Sequence, residues 1–377
     1  MFKILNIISD TNIGGAGKVL LTFLRNFDRE LYEMAVVLPK GSKLTSEIER
    51  LGVRVIPSDG ISDKSFDIVA IKRMYRLFKQ EKPDIVHTHA CLSARIAARL
   101  YGKCKIVHTR HSIFDEPAYK RAFPYKQVFG FINNRCSDII IAVSPVVKID
   151  LVEKGTSQRK IVVVYNGVDA LSPLTKSERR SVRLRYNLSE MDFVCGIVAR
   201  LESVKGHEYV LKAAQLLSLE DKDIKFLIVG TGTQEFELRN TAEKNGVTNC
   251  IFTGFVEDIR EIMGILDLQI NASYGTEATS ISLLEGMSLG IPAVVSDFGG
   301  NPYVINDGIN GLLFESRDYA EMCKAIQAVK ASEKDYQHYS SRALEIYNEK
   351  FTSKAMTAGV ENVYRSLLVP DDKQPVK

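Results

Sequence analysis

Short runs of β-branched and aliphatic residues alternate along the chain with stretches whose apolar positions recur every three or four residues. Residues 2–9 predict a strand, and residues 16–27 a helix with Val19, Leu20, Phe23, Leu24 and Phe27 on one face. Strands follow at 35–38, 53–56, 85–89, 106–109, 139–143 and 161–164, with helical patterns such as 68–80 and 92–101 between several of them. Strands that alternate with helices predict parallel βαβ units covered on both faces. Residues 169–185 then turn polar and are read as a linker or an irregular crossing. A second series begins at 193–199 and continues at 226–229, 251–252, 268–271, 293–296 and 311–314. A last helical pattern spans 352–368, and the polar tail that follows is expected to be disordered. The pattern therefore predicts an α/β chain of two doubly wound halves in tandem, a division that 377 residues also call for.

Composition narrows the class. Apolar residues make up 45% and charged residues 25%, the balance of a folded soluble protein. No apolar run approaches the roughly 20 residues that span a bilayer, and residues 1–9 read as a buried strand rather than a signal peptide. The six cysteines are scattered without a CxxC pair, which indicates neither a zinc site nor a disulfide framework and suits a reducing cytoplasm. The net charge of +4 hides an asymmetry: residues 1–165 hold 27 Lys and Arg against 16 Asp and Glu, the rest of the chain 23 against 30. A basic front half points to an acidic partner, or to a solvated surface with none.

In open α/β sheets ligands sit beyond the carboxyl ends of the strands, so residues just after strands are the candidates. The turn from Asn12 to Lys18 contains Gly14, Gly15 and Gly17 and feeds a helix, where backbone N–H groups could meet an anion. It matches neither Walker A nor the dinucleotide fingerprint, and tight-turn packing explains the glycines equally well. Arg200 ends a strand and Lys205-Gly206 opens a helix, an arrangement suited to a diphosphate or to surface ion pairs. Between Ser273 and Met287, Glu277 falls in a loop; with a helix starting near Thr279, Glu285 stands about two turns along it. Two such carboxylates can accept hydrogen bonds from different hydroxyls of one extended ligand.

These residues resemble the retaining nucleotide-sugar glycosyltransferases of the GT-B fold, family four, also called glycosyl transferases group 1. The resemblance rests on Glu277 and Glu285 with the Gly290-Ile291-Pro292 turn and the Gly299-Gly300 loop, and on Arg200, Lys205 and Gly206. Asn166-Gly167-Val168-Asp169, Gly230-Thr231-Gly232, Gly14-Gly15 and the Asp84–His89 run extend it over nearly the whole chain. It implies two Rossmann-like domains facing across a cleft: an acceptor domain at 1–170, on which helix 352–368 packs back, a donor domain at 171–351 and a tail at 369–377. It also implies that Arg200 and Lys205 neutralise the departing diphosphate, that Glu285 binds the ribose and Glu277 the transferred sugar, and that Gly14 and Gly15 line the cleft. His111 is placed near the scissile bond, with His89, His108, Arg110 and Asn166 on the acceptor side, Gly230 and Gly232 on the donor side, and no metal or cofactor. The usual Glu-Gly-Phe-Gly is here Glu277-Ala278-Thr279-Ser280, which moves sugar identity out of reach, and the usual Pro-Glu after the glycine loop is Pro302-Tyr303.

Other features are weighed beside it. His87-x-His89 puts two rings on one face, but no third metal ligand is evident, and hydrogen-bonded strand-end residues are as good a reading of both as acceptor contact. Asp221-Lys222-Asp223 spells the DxD of metal-dependent transferases, at the wrong end of a strand for a site. Residues 72–79 and 119–126 are basic and aromatic, which suits an anionic membrane surface. The expected function is transfer of a hexose-type sugar from a nucleotide-diphosphate sugar to a glycan or lipid-linked acceptor in envelope polysaccharide or glycolipid synthesis. The expected place is the cytoplasm, peripheral at the inner face of the plasma membrane, with no nucleic-acid partner. An epimerase or hydrolase on the same scaffold and a non-catalytic sugar-nucleotide sensor are the alternatives.

Overall fold

The computed structural model describes residues 1–59, 66–113 and 117–368, so the tail at 369–377 lies outside the described residues. The chain divides into two compact units: Met1–Val168 with the chain from Ser353 onward, and Asp169–Thr352.

The first unit holds a seven-stranded sheet. Its elements run β1 (Phe2–Ile8), α1 (Gly15–Asn26), β2 (Tyr32–Pro39), α2 (Leu44–Arg50), β3 (Arg54–Ser58), α3 (Ile68–Glu81), β4 (Ile85–His89), α4 (Leu92–Tyr101), β5 (Lys105–Arg110), α5 (Tyr125–Cys136), β6 (Ile139–Ala142), α6 (Pro145–Glu153) and β7 (Ile161–Val163). The strand order is β3-β2-β1-β4-β5-β6-β7, and every pairing is parallel. Central strands buried on both faces explain the near-continuous apolar runs, such as Ile4, Leu5, Ile7 and Ile8 at 0–1% exposure.

The second unit runs α7 (Lys176–Arg185), β8 (Phe193–Val198), α8 (His207–Glu220), β9 (Ile224–Val229), α9 (Glu235–Lys244), β10 (Cys250–Gly254), α10 (Ile259–Met263), β11 (Leu268–Asn271), α11 (Ile281–Met287), β12 (Ala293–Ser296), β13 (Gly311–Phe314), α12 (Tyr319–Ala331) and α13 (Glu333–Ile346). Its six parallel strands are ordered β10-β9-β8-β11-β12-β13. The last helix, α14 (Ser353–Leu368), belongs to the first unit. There Tyr364 is buried against Phe23 of α1 and Tyr32 of β2, with ring centroids 6.1 and 5.7 Å away, and Glu361 accepts a 2.8 Å bond from the Asp28 amide.

The polar stretch 169–185 is not simply a linker, because its second half is α7. Thr175 accepts a bond from the Glu178 amide at 3.2 Å, and the Glu178 carboxylate accepts one from the Thr175 amide at 2.7 Å, a reciprocal cap. Arg183 hides the helix from a hydrophobicity reading. It is 2% exposed, yet its guanidinium is spent on the carbonyls of Ser189, Asp192 and Ile265. Asp221-Lys222-Asp223 joins α8 to the start of β9, where Asp221 accepts from the Asp223 amide and pairs with Lys330.

Candidate functional site

The carboxyl ends of β8, β11 and β12 carry the acidic and basic candidates of the second unit. Glu277 lies beyond β11 and is 7% exposed. Its Oε2 accepts from Lys205 Nζ at 2.9 Å, Ser273 Oγ at 3.1 Å and Asn271 Nδ2 at 3.3 Å. Lys205 Nζ also donates to the Thr276 carbonyl at 3.1 Å, so the ammonium is tied to the loop as well as to the carboxylate. Asn271 is in turn oriented by the Ser273 amide (3.1 Å) and by Asn301 Nδ2 (3.4 Å), which also reaches Ser296 Oγ at 3.1 Å. This ion pair, its carboxylate buried and its ammonium partly so, survives because polar neighbours share its desolvation. Asn271, Ser273, Ser296 and Asn301 escaped the sequence reading; their signal is that β11 and β12 end in the polar residues Asn271 and Ser296.

Two glycine positions show why this loop cluster needs them. Gly206 has φ +73°, and a Cβ there would lie 2.1 Å from the Ala272 carbonyl oxygen, so only glycine brings Lys205 against β11. Gly300 donates its amide to the Glu277 carbonyl at 2.8 Å, and a Cβ on it would fall 2.0 Å from the Ala278 carbonyl oxygen. The glycine loop after β12 therefore fixes the backbone that carries Glu277. Gly230 and Gly232 make equally close approaches to the carbonyls of Ala199 and Leu201 at the end of β8.

Glu285 is buried in α11, but the helix starts at Ile281 with Ser280 as its cap, so the carboxylate stands little more than one turn in rather than two. The Ser280 hydroxyl sets that start by accepting from the Leu283 amide. Ala278 and Thr279 are buried beside it, with the Thr279 hydroxyl donating to the Ala278 carbonyl at 2.8 Å. Arg200 is exposed just after β8. The Thr233 hydroxyl first, and the Arg200 charge as a lesser cause, hold the Glu202 carboxyl below its usual range. Behind Lys205, His207 is 2% exposed with neither ring nitrogen bonded; burial first and the Lys205 charge second lower its pKa to about 4.

The histidines of the first unit form a neutral cluster at the carboxyl ends of β4 and β5. His87 Nδ1 meets the Tyr364 hydroxyl at 2.6 Å and its Nε2 meets Thr109 Oγ1 at 2.7 Å, so neither nitrogen is left for a metal. Its ring stacks on His89 at 4.6 Å, and His89 Nδ1 lies 2.8 Å from His111 Nε2. Burial pushes His87 down to about 3 and His111 to about 4, the latter helped by the Arg110 charge. Burial also holds His89 and His108 well below the usual range. His89, His111 and Asn166 line one small cavity, whereas His108 turns to the Thr88 carbonyl at 3.2 Å. Gly14 and Gly15 have neither a positive φ nor any neighbour within 3.4 Å of a Cβ, so packing does not require glycine at the start of α1. Among the described residues, the three potential metal ligands that converge are Glu315, Asp318 and Glu321, and Asp318 and Glu321 already accept backbone amides there.

Residues 178–345 match the model described as glycosyl transferases group 1, and residues 13–170 the model described as glycosyltransferase family 4. The chain is 30% identical over 280 residues to the UDP-Gal:alpha-D-GlcNAc-diphosphoundecaprenol alpha-1,3-galactosyltransferase of Escherichia coli, covering 70% of each chain. It is 26% identical over 320 residues to the N-acetyl-alpha-D-glucosaminyl L-malate synthase of Bacillus anthracis, covering 82% of this chain and 81% of that one. Its fold matches that of Anabaena Alr3699/HepE, solved with UDP-glucose, at a TM-score of 0.83 and 19% identity, over 97% of this chain and 100% of the other. The chain belongs to the GT-B glycosyltransferases, in the family described as glycosyl transferases group 1 and glycosyltransferase family 4.

Proposed function

We propose that this glycosyltransferase moves a hexose-type sugar from a nucleotide-diphosphate sugar to a glycan or lipid-linked acceptor, with retention at the anomeric carbon and without a metal ion. The single observation that carries the reading is the fixed pair of Lys205 and Glu277 at the carboxyl end of β11. In this reading Lys205, with Arg200, meets the negative charge that grows on the diphosphate as its bond to the anomeric carbon breaks. Glu277 contacts the sugar, Glu285 the ribose hydroxyls, and the backbone at Gly230 and Gly232 the rest of the donor. The acceptor oxygen bonds to the anomeric carbon on the face the phosphate leaves, and a departing phosphate oxygen takes the acceptor proton. Gly14, Gly15, His111, Arg110 and Asn166 are assigned to the sugar and acceptor side. The lipid-diphosphate substrate in the name of the Escherichia coli relative supports a lipid-linked acceptor and a role in envelope polysaccharide or glycolipid synthesis.

Calorimetry with UDP-, GDP- and ADP-sugars tests the donor, and product NMR tests retention. Sugar found free or isomerised without an acceptor would support a hydrolase or epimerase, and donor binding without turnover a sensor. Activity is expected to persist in EDTA; full metal dependence would contradict the mechanism.

A membrane-facing role is supported by the segment around α5. Residues 117–137 contain no Asp or Glu. Tyr125, Val128 and Phe131 recur on one face of α5 at 53%, 55% and 69% exposure, beside Phe123 at 81%. Lys120 and Lys126 flank them, whereas Arg121 pairs with Glu153 at 3.4 Å; exposed rings beside lysines suit anionic headgroups at the inner face of the plasma membrane. The basic stretch on α3 differs, because Met74 and Phe78 face the core and leave mainly its charges outside. No described helix is long and apolar enough to cross a membrane. Co-sedimentation with phosphatidylglycerol vesicles at low salt is expected, and Phe123→Ser with Phe131→Ser should abolish it; no binding by the unaltered protein would sink this role.

A further inference from the structure

His89 ends β4 and His111 follows β5, and their rings lie nearly parallel, 23° apart with centroids separated by 5.1 Å. Between them runs one short contact, His89 Nδ1 to His111 Nε2 at 2.8 Å. The outer nitrogens, His89 Nε2 and His111 Nδ1, are buried without a hydrogen-bonding partner in the protein, and both residues line the same cavity. His87 stacks on His89 and is itself pinned at both nitrogens by Tyr364 and Thr109, which holds the His89 ring in place.

Two nitrogens at this distance require one shared proton, since two lone pairs or two N–H groups would repel. Burial keeps both rings neutral, so each carries a single N–H. If His89 donates through Nδ1, its Nε2 is bare and His111, accepting at Nε2, holds its proton on Nδ1. If His111 donates through Nε2, its Nδ1 is bare and His89 holds its proton on Nε2. The two rings are thereby locked into the same tautomer, and the pair always offers one donor and one acceptor at its outer nitrogens.

We propose that His89 is a positioning residue for His111, tying the tautomer of His111 to its own through the shared proton. Whether His111 presents a donor or an acceptor to the groups undergoing transfer thus depends on which nitrogen of His89 is protonated. This inference rests on the assignment of His111 to the transfer site. It also gives His89 a different task from direct acceptor contact.

Long-range proton–nitrogen correlation spectra of the protein labelled with nitrogen-15 histidine, at pH 7, read the tautomers directly. Both rings should be neutral and of the same tautomer; one of each kind would overturn the pair. Kinetics supply a second readout, as nucleoside-diphosphate release from the sugar donor that calorimetry identifies, in the presence of acceptor. His89→Asn places a carboxamide where Nδ1 stood and should keep kcat within about threefold. His89→Gln, whose amide reaches the Nε2 position instead, should lower kcat at least about tenfold with donor KM within about twofold. Equal losses in the two variants would overturn the positioning role. Wild-type turnover in His111→Ala would break the link to the reaction, whereas the spectra report on the pair independently of that outcome.

Discussion

The two units bury their candidate chemistry in opposite ways. At the carboxyl ends of β4 and β5, four histidines are 2–5% exposed or enclosed around a cavity, with no acidic partner among the described residues, and burial drives them neutral. At the carboxyl end of β11, Lys205 and Glu277 face each other as an ion pair, and Asn271 and Ser273 complete the shell of Glu277. Burial alone removes charge; burial with a counter-charge and hydrogen bonds can retain it. The first environment suits exchange of hydrogen bonds or protons, and the second suits neutralising a phosphate.

Removing the charge from the second unit should produce the largest effect. Lys205→Ala is expected to lower turnover at least tenfold, about 1.4 kcal/mol or more in the barrier, and to destabilise the second unit by about 3 kcal/mol because Glu277 keeps Asn271 and Ser273 but loses its counter-charge. Glu285→Ala should show a similar loss of turnover; near-wild-type rates in both would remove the basis for the donor assignment. Gly300→Ala should cost about 3 kcal/mol in urea unfolding through its collision with the Ala278 carbonyl.

Acid should separate the units next. A histidine held below its unfolded value binds fewer protons in the folded state, so stability falls as pH drops from about 6.5 toward the folded values of about 3 and 4 at His87 and His111. Each such histidine contributes a slope on the order of 1.4 kcal/mol per pH unit. The first unit has four and the second His207, so amide protection factors between pH 6.5 and 5 should fall first around β4 and β5. Equal acid sensitivity would break the contrast. The smallest effect is expected at Gly15→Ala, within about 1 kcal/mol in stability because a Cβ there meets nothing within 4 Å. A fall in its turnover without a fall in stability would place the start of α1 against a ligand.

Much of the fold was legible because the parallel strands are buried on both faces and write themselves as apolar runs. The runs at 85–89, 268–271, 293–296 and 311–314 coincide with β4, β11, β12 and β13, and only bounds moved at the other strands, as at β10. What escaped was structure held by polar groups: α7, whose buried Arg183 is satisfied by carbonyls 6 to 82 residues away, looks like a linker to any reading of hydrophobicity. At the site, residue types and spacing single out Lys205, Glu277, Glu285 and the glycines. They cannot show that Ser273 and Asn271 share the Glu277 oxygen with Lys205.

The sequence by itself determined two doubly wound units and the places along the chain where the candidate charged groups and glycine turns stand. That information is local, carried by periodicity and by glycines whose turns admit no Cβ. The tertiary structure decided the partners, because a hydrogen bond depends on which strand ends the sheet order sets side by side. Lys205 and Glu277 stand 72 residues apart in the chain, and His89 and His111 22 apart, yet each pair meets at less than 3 Å. Only that order makes one pair an anchored charge and the other a shared proton.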